Sequence, residues 1–404
     1  MKHRTGWPWS SARLAASPPW VGGAHRVAAV DRQWLIVAGA MTVWAAVFFG
    51  WRGLMQVAVA TMACTAVHLI ALLLRRPAAV GHAHAPTPSH SGGGGGGAVW
   101  LGMMTGLSLP LTQDYTLPLL AGLLTGGVMQ VVGRSHRLRV HPLAVVMVAV
   151  WLVPLAGWWG GSGWLIQQAT EPIDAVLRPS HVVRGDVFEL VGGVSYEPWW
   201  ETGAAGLPDG VRRASFVDSL WRYRYELATQ RTWLVSMLSS GELPRFEELL
   251  LGSVPGPVGG TSPAVVIGLG VYLMYRRLAW WPMPLWALGG AVLMLAWMPV
   301  PGGAGAEGWS TVAQHLVQLG PAAGLTLLGY LLLASAAPLV VMIHAPLSMP
   351  LTPRGRAAYA LVLGSVAMAA QWLIAVPQAP YLGLLVAGLL SRLLDNLHHS
   401  PFAR

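Results

Sequence analysis

The sequence predicts an all-α polytopic membrane protein with about ten transmembrane helices, arranged as two inverted five-helix repeats. Three observations favour this class. Apolar residues make up 54% of the 404-residue chain and charged residues only 10%, and the mean hydropathy is +0.53. Apolar stretches recur at lengths that cross a hydrocarbon core of about 30 Å as helices. Arginines cluster between alternate stretches, as they do in cytoplasmic loops.

The ten predicted spans fall into two groups of five. They are 33–50, 53–75, 98–112, 115–133 and 143–160 in the first half, and 263–280, 281–299, 319–343, 357–376 and 380–395 in the second. Segments 98–112 and 281–299 contain proline or several glycines, and interrupted helices in a bilayer need partners for their freed backbone groups. Five spans that begin inside end outside, so the second half is predicted to be inverted. This repeat prediction rests on topology alone.

Arginine placement predicts that both termini are cytoplasmic. With the N-terminus inside, the pair Arg75 and Arg76 and the pair Arg276 and Arg277 fall on the cytoplasmic side, and Arg52 is the exception. We therefore expect a multi-pass protein of a bacterial inner (cytoplasmic) membrane.

The predicted organisation has five parts. They are a cytoplasmic N-terminal arm (1–32), the first five-helix repeat (33–160) with a disordered Gly/His linker at 77–97, an extracytoplasmic loop or cap (161–262), the second five-helix repeat (263–395) and a cytoplasmic tail (396–404). The cap carries 12 of the 16 acidic residues. It is too long for a simple connection, so we expect it to pack on the outer face or to bind a partner.

Charge and cysteine content exclude several classes of function. The net charge of +9 comes from arginines at helix ends, where they contact anionic headgroups, so nucleic-acid binding is not expected. Cys64 is the only cysteine, which excludes disulfides within the chain and iron–sulfur ligation by this chain alone. It is predicted to be a small core residue. We expect the linker histidines His82, His84 and His90 to be solvated, and no metal site.

The most distinctive stretch is FEELLLGSVPGPVGGTSPAVVIGLGVYLMYRR, a Gly/Pro turn joined directly to an apolar helix. Gly252, Gly256, Gly259 and Gly260 permit either the close approach of a phosphate or ring, or a sharp turn. Thr261 and Ser262 either contact a ligand or cap the sixth span, with Pro263 at its first position. Thr352 and Pro353 have the same capping interpretation at the ninth span.

This stretch resembles the one that opens the second half of RnfD and NqrB, membrane subunits of the Rnf and sodium-translocating NADH:quinone oxidoreductase complexes. Two further stretches support the resemblance. PLSMPLTPRGRAAYALVLG (346–364) looks like the family's Asp-Pro-Val-Thr-Ser-Pro-Val-Thr-x-x-Gly turn, and TGLSLPLTQDYTLPLL (105–120) is similar to its third-span turn. The order of the three stretches and the ten-span layout also agree. The chain is thus identified as a divergent member of this family.

The resemblance implies electron transfer through FMN, attached by a phosphoester to the threonine of an Asp-x-x-Ser-Gly-Ala-Thr motif. Alignment places Thr229 at that position. Tyr223, Glu226 and Leu227 stand where the motif has aspartate, serine and glycine. The candidate cofactor-binding residues are Thr229, Gly252, Ser253, Gly256, Gly259, Thr261 and Ser262.

A noncovalent flavin is the second possibility at this site. Aromatic side chains could stack on the ring and arginines could neutralise its phosphate. The candidates are Trp221, Tyr223 and Tyr225 for stacking and Arg222, Arg224 and Arg231 for the phosphate. The alternative is that these aromatics anchor the cap at the membrane surface, and that Thr229 is a polar residue of an amphipathic surface helix.

Two acidic positions of the family are absent. Its Gly-Glu-Thr-Ser reads Gly259-Gly260-Thr261-Ser262, and its Asp-Pro reads Ala345-Pro346. Acids within membranes are costly and usually functional, so their absence indicates a subunit that passes electrons, or holds partners, without moving ions itself. The remaining titratable groups near the membrane are His68, His315 and His344, of which His68 is expected to hydrogen-bond a neighbouring helix.

The predicted function is that of an RnfD/NqrB-like subunit of a membrane electron-transport complex. It would transfer electrons through flavin (FMN), with possible coupling to ion translocation, as one subunit of an oxidoreductase and not as a stand-alone enzyme. The expected partners are the other subunits of the complex and the lipid bilayer. Two alternatives remain: a small-solute channel or transporter, which inverted repeats also build, and a redox-inert scaffold subunit.

Overall fold

The computed structural model describes fourteen segments of the chain. They are 24–74, 96–109, 115–134, 140–150, 246–251, 257–260, 262–276, 278–300, 310–333, 335, 337–343, 349–350, 352–374 and 378–396. Most of these residues are helical, which confirms the all-α class. Residues 1–23 of the N-terminal arm, nearly all of the cap and residues 397–404 of the tail lie outside the described residues, whereas residues 24–32 belong to the first helix. The domain boundaries stay predictions.

The first half contains four described helices: α1 (Ala24–Leu73), α2 (Gly96–Ser108), α3 (Thr116–Arg134) and α4 (142–150). The first two predicted spans are continuous in α1 except at Gly50, where φ is 61° and ψ is −153°. Side chains on L-residues rarely permit this conformation, so glycine is needed where the two helical parts of α1 meet.

The chain from the end of the predicted cap onward contains eight helices among its described residues. They are α5 (Phe246–Leu251), α6 (Pro263–Tyr275), α7 (Met283–Trp297), α8 (Val312–Leu319), α9 (Pro321–Leu333), α10 (Ala337–Ile343), α11 (Pro353–Ile374) and α12 (Pro380–Asn396). A short antiparallel ribbon of β1 (Pro299–Val300) and β2 (Ser310–Thr311) follows α7. The ribbon and α8 are new, because the sequence predicted only a loop at 300–318.

Helix α8 begins with a capping box that the sequence analysis missed. The Thr311 backbone N–H donates to Oε1 of Gln314 (2.9 Å). The Gln314 backbone N–H in turn donates to Oγ1 of Thr311 (3.4 Å). This reciprocal pair satisfies donors that a helix start otherwise leaves open, and it explains why the loop turns into a helix here.

The predicted span 319–343 is broken. Its two parts, α9 and α10, are bent by 59° relative to each other. Ser335 lies at the break: its hydroxyl donates to the Leu331 carbonyl oxygen (3.1 Å) and accepts from the Ala337 N–H (3.2 Å). A buried polar side chain thus satisfies backbone groups that the break frees from the helix.

Length and composition support fewer spans than the sequence predicted. Among the described helices, Phe49–Leu73 is long and apolar enough to cross a membrane, and the bent pair Ala323–Leu333 with Ala337–Ile343 passes the same test together. Three further apolar helices are shorter than the 18 residues required of a span. They are Thr116–Val132, Pro263–Tyr275 and Met283–Trp297. The count of ten and the repeat therefore stay predictions.

The predicted disordered linker is wrong at its last two residues. Gly96 and Gly97 begin α2, and Gly97 is buried. A Cβ at Gly96 would lie 3.1 Å from Cβ of Asp31, so the missing side chain lets α2 start close against α1. The rest of the linker, 77–95, lies outside the described residues.

Glycines bring helix backbones into direct contact in both halves. In the first half a Cβ at Gly122 of α3 would overlap the Ala60 carbonyl oxygen of α1. In the second half a Cβ at Gly364 of α11 would overlap the Ala287 carbonyl oxygen of α7. Small residues allow this close packing of membrane helices.

Candidate functional site

The described part of the Gly/Pro turn, 257–260, is bonded to the end of α2. The Val258 N–H donates to the Leu109 carbonyl oxygen (3.0 Å), and the Gly259 N–H donates to the Leu107 carbonyl oxygen (2.6 Å). The turn also closes on itself, because the Gly260 N–H donates to the Pro257 carbonyl oxygen (2.8 Å). These bonds join the two halves of the chain immediately before α6.

Gly259 uses its missing side chain to approach protein. A Cβ there would lie 2.6 Å from Cβ of Leu107 and 3.1 Å from Cε of Met41. At Gly260 a Cβ would lie 2.8 Å from Cγ of Pro257. The sequence left two interpretations open for these glycines: the close approach of a ligand, or a sharp turn. In the described part, Gly259 packs against Leu107 and Met41, and Gly260 lies in a tight turn.

Ser262 is the N-cap residue of α6, and Pro263 occupies the first turn, as expected. The predicted side-chain cap, however, is wrong. The Ser262 hydroxyl makes no bond to the helix and instead donates to the Leu250 carbonyl oxygen of α5 (3.2 Å). Carbonyls at the end of a helix lack an intrahelical partner, and Ser262 supplies one to α5.

The other predicted cofactor-binding residues, Thr229, Gly252, Ser253, Gly256 and Thr261, lie outside the described residues. The same is true of the aromatic and arginine set at 221–231 and of His344. Of the predicted site, the structure therefore describes Gly259 and Ser262.

Sequence reasoning missed three side chains that surround the end of α2. Ser108, Tyr381 and Gln56 are all buried. The amide nitrogen of Gln56 donates to the carbonyl oxygens of Gly106 (3.0 Å) and Leu109 (3.3 Å). Together with the bonds from the turn at 257–260, these two bonds give hydrogen-bond donors to the carbonyl oxygens of Gly106, Leu107 and Leu109, which a helix end otherwise leaves without partners.

A sequence signal for this region exists. The segment LSLPLT (107–112) begins with the last two residues of α2, and LSMPLT (347–352) follows α10. The two segments differ only at their third residue. LSLPLT ends the third predicted span of the first half, and LSMPLT follows the third predicted span of the second half. The repeat prediction from the sequence rested on topology alone and did not use this similarity.

Thr352 caps α11, which confirms its structural role. The Gly355 N–H donates to Oγ1 of Thr352 (3.1 Å). The Thr352 N–H donates to Oδ1 of Asp395 at the end of α12 (3.2 Å). Nε of Arg356 donates to the Pro350 carbonyl oxygen (3.1 Å). Burial lowers the pKa of Arg356, and the Asp395 carboxylate opposes this shift.

Three titratable side chains of α1 are His68, Cys64 and Asp31. The Gln130 amide nitrogen is 2.9 Å from Nδ1 of His68, so α3 and α1 are bonded as predicted. Cys64 is buried in the core, also as predicted. Burial raises the pKa of Asp31, with the neighbouring Trp100 side chain opposing the shift.

No cluster of metal-ligating side chains was found in the part of the chain that the structure describes. In these segments no three His, Cys, Asp or Glu residues lie close enough together to hold an ion. His315 instead lies 3.2 Å, through Nδ1, from the Thr311 carbonyl oxygen.

Comparison with known proteins identifies the family. The NQR2, RnfD, RnfE family model matches residues 14–402. Because the match covers nearly the whole chain, the chain belongs to this family, which confirms the resemblance seen in the three stretches. As a member of this family, the chain is a membrane subunit of an Rnf- or Nqr-type complex. No curated protein matches the chain significantly.

Proposed function

We propose that this member of the NQR2, RnfD, RnfE family is the flavin-carrying, electron-transferring subunit of its membrane complex. The flavin supplies the redox chemistry, and the chain sets its position and surroundings. The other subunits are the proposed partners, in a bacterial inner membrane with both termini cytoplasmic.

The observation that carries this proposal is the meeting of two family-like stretches. Residues 105–120 and 241–277 are distant in the chain, yet Leu107 and Leu109 accept hydrogen bonds from Gly259 and Val258. A chain that keeps these stretches in contact keeps the candidate cofactor-binding turn joined to the end of α2. This contact between two family-like stretches supports the electron-transfer interpretation.

Two features support an inverted-repeat organisation of ten spans. The second and fourth predicted spans meet at Ala60 and Gly122, and the equivalent seventh and ninth meet at Ala287 and Gly364. The LSLPLT and LSMPLT segments also occupy equivalent places. Equivalent packing and equivalent turns are what two related halves produce.

The proposed flavin contacts come from residues of the Gly/Pro turn other than Gly259 and Ser262, and from the cap. Gly259 faces Leu107 and Met41, and the Ser262 hydroxyl is bonded to the Leu250 carbonyl oxygen. Both residues are therefore engaged by protein and position the turn. We propose that Thr229, Gly252, Ser253, Gly256 and Thr261 are the residues that contact FMN, covalently at Thr229 or without a bond.

The turn lacks the acidic residue that ion movement would use. The family's acid is replaced by Gly260, and Pro257 fills the space that a side chain at this position would enter. We propose that this chain passes electrons without an ionisable group here, so that any ion coupling resides in other groups of the complex.

The test is the flavin content of the purified full-length chain. Its absorbance and fluorescence are measured before and after denaturation, in the unmodified protein, in Thr229→Val and in the matched control Thr232→Val. Flavin that remains on the denatured chain, and is lost only in Thr229→Val, supports attachment at Thr229. Flavin released on denaturation supports a noncovalent site. A chain purified with its partners but without flavin would overturn the proposal and favour a channel or scaffold.

A further inference from the structure

A cavity of about 370 Å³ lies within the second half, between α6, α7, α9, α10 and α11. Its size falls in the range of small-molecule sites. The walls are apolar; they include Val266, Gly270, Ala287, Leu331, Val340 and Met368. The cavity lies beside the break between α9 and α10, because Leu331, Ser335 and Ala337 belong to its lining.

Gln371 of α11 lines this cavity. Its side chain is 1% exposed, and among the described residues neither its amide nitrogen nor its amide oxygen has a hydrogen-bond partner. Buried polar groups in native proteins are almost always bonded, because an unmet amide loses its hydration without compensation. The amide therefore indicates a missing partner inside the cavity.

The second polar residue of the lining does not supply that partner. Ser335 is already bonded to the Leu331 carbonyl oxygen and to the Ala337 N–H at the helix break. The described lining contains no charged residue and no histidine. A phosphate or carboxylate would enter without a counter-charge, so the occupant is neutral.

The cavity opens at the surface of the bundle, where three aliphatic residues of its lining are exposed. Ile267 and Val271 of α6 and Leu288 of α7 line it, and they are 49%, 57% and 40% exposed. Exposed aliphatic side chains on membrane helices contact acyl chains. A ligand therefore reaches the cavity sideways from the bilayer and must itself be lipid-soluble.

We propose that this cavity binds a neutral, lipid-soluble molecule whose carbonyl or hydroxyl group hydrogen-bonds the Gln371 amide. A primary amide both donates and accepts, so it is suited to either group. The apolar body of the ligand fills the space between α6 and α10. None of the cavity-lining residues belongs to the proposed flavin site.

The test uses a long-chain alcohol that carries a photoreactive diazirine. It is applied to the full-length chain in membranes, with its partner subunits, and cross-linked peptides are mapped by mass spectrometry. Labelling is expected on the cavity-lining residues of α6 and α10. Gln371→Met keeps the side-chain length and removes the amide, and we expect it to weaken labelling by about fivefold to tenfold, the effect of one hydrogen bond.

Two substitutions add side-chain volume to the cavity or its opening, and each has a matched control. A Cβ at Gly270 would meet nothing nearer than Cγ of Met342 at 4.0 Å, so Gly270→Leu projects into open space and should abolish labelling. Gly268 is on the same helix outside the lining and has nothing within 4 Å, so Gly268→Leu should label normally. Leu288→Trp at the mouth, paired with Leu293→Trp outside it, repeats the test should Gly270→Leu fail to fold.

Competitors identify the source of the polar group. Displacement by a short-chain diacylglycerol indicates a glyceride, displacement by a short-chain quinone indicates a quinone, and either result supports the proposal. Equal labelling in Gly270→Leu and the unmodified chain, or an unchanged Gln371→Met, overturns it. So does labelling of the isolated chain that vanishes in the complex, because a partner helix would then fill the cavity.

Discussion

The hydroxyl of Tyr381 donates a hydrogen bond to Oγ of Ser108 (2.5 Å), and Ser108 in turn donates to the Met104 carbonyl oxygen (2.6 Å). Tyr381 belongs to the first turn of α12 and Ser108 is the last residue of α2. The bond therefore crosses from the second half to the first, between two fully buried side chains. It adds a side-chain contact to the main-chain junction at Val258 and Gly259.

Tyr381→Phe should lower the free energy of unfolding by about 1 kcal/mol, the net value of one hydrogen bond, without changing the fold. Thermal denaturation of the purified chain in detergent measures this. Tyr275→Phe is the control, because Tyr275 is 81% exposed. Equal losses in both variants would contradict a role for the Tyr381–Ser108 bond.

Gly122→Ala should destabilise the chain by about 1–3 kcal/mol or prevent folding, because the new methyl group would overlap the Ala60 carbonyl oxygen and push α3 away from α1. Gly127→Ala, on the same helix, meets nothing within 4 Å and should be neutral or slightly stabilising through helix propensity. Expression level and melting temperature distinguish them. A stable Gly122→Ala protein would argue against the tight contact of these helices.

Asp31→Asn should raise stability at neutral pH, with a gain that shrinks as the pH falls. Burial raises the pKa of Asp31, so the folded chain disfavours its charged form relative to the unfolded chain. The penalty is fully present above the raised pKa and disappears as the carboxyl protonates on acidification. Melting temperatures of both proteins over a pH series measure the difference. Parallel curves would show that Asp31 is not desolvated.

Gly260→Ala should destabilise the turn, and Gly260→Glu, which restores the family's acid, should do so more strongly. The first added carbon would lie 2.8 Å from Cγ of Pro257, whose ring has little freedom to move. Gly268→Ala, in open surroundings, is the control. Melting temperatures of the three variants are the measurement, and a Gly260→Glu protein as stable as the unmodified chain would refute the steric argument.

Local sequence signals predicted the class of the fold and several helix starts. Hydropathy identified the helices because burial in lipid requires long apolar stretches. Pro263 and Thr352 marked the beginnings of α6 and α11 because a missing N–H and a short hydroxyl side chain suit the first turn of a helix. His68 was matched to a neighbouring helix because a polar group in an apolar span needs a partner.

Contacts between distant residues were not predictable in this way. The sequence does not say that Ser262 bonds the Leu250 carbonyl oxygen instead of its own helix, or that Gly259 packs on Leu107. The cavity around Gln371 depends on the bend between α9 and α10, and Ala-Ser-Ala-Ala-Pro at 334–338 carries only a weak signal for it. The LSLPLT repeat was present in the sequence, and a direct self-comparison would have revealed it.

The bonds from Val258 and Gly259 to α2 involve main-chain atoms alone. Replacing the side chains of Val258, Leu107 or Leu109 with others of similar bulk therefore leaves every donor and acceptor of this junction in place. Such a join tolerates sequence drift. The end of α2 and the turn before α6 can therefore stay joined while the side chains at these three positions change.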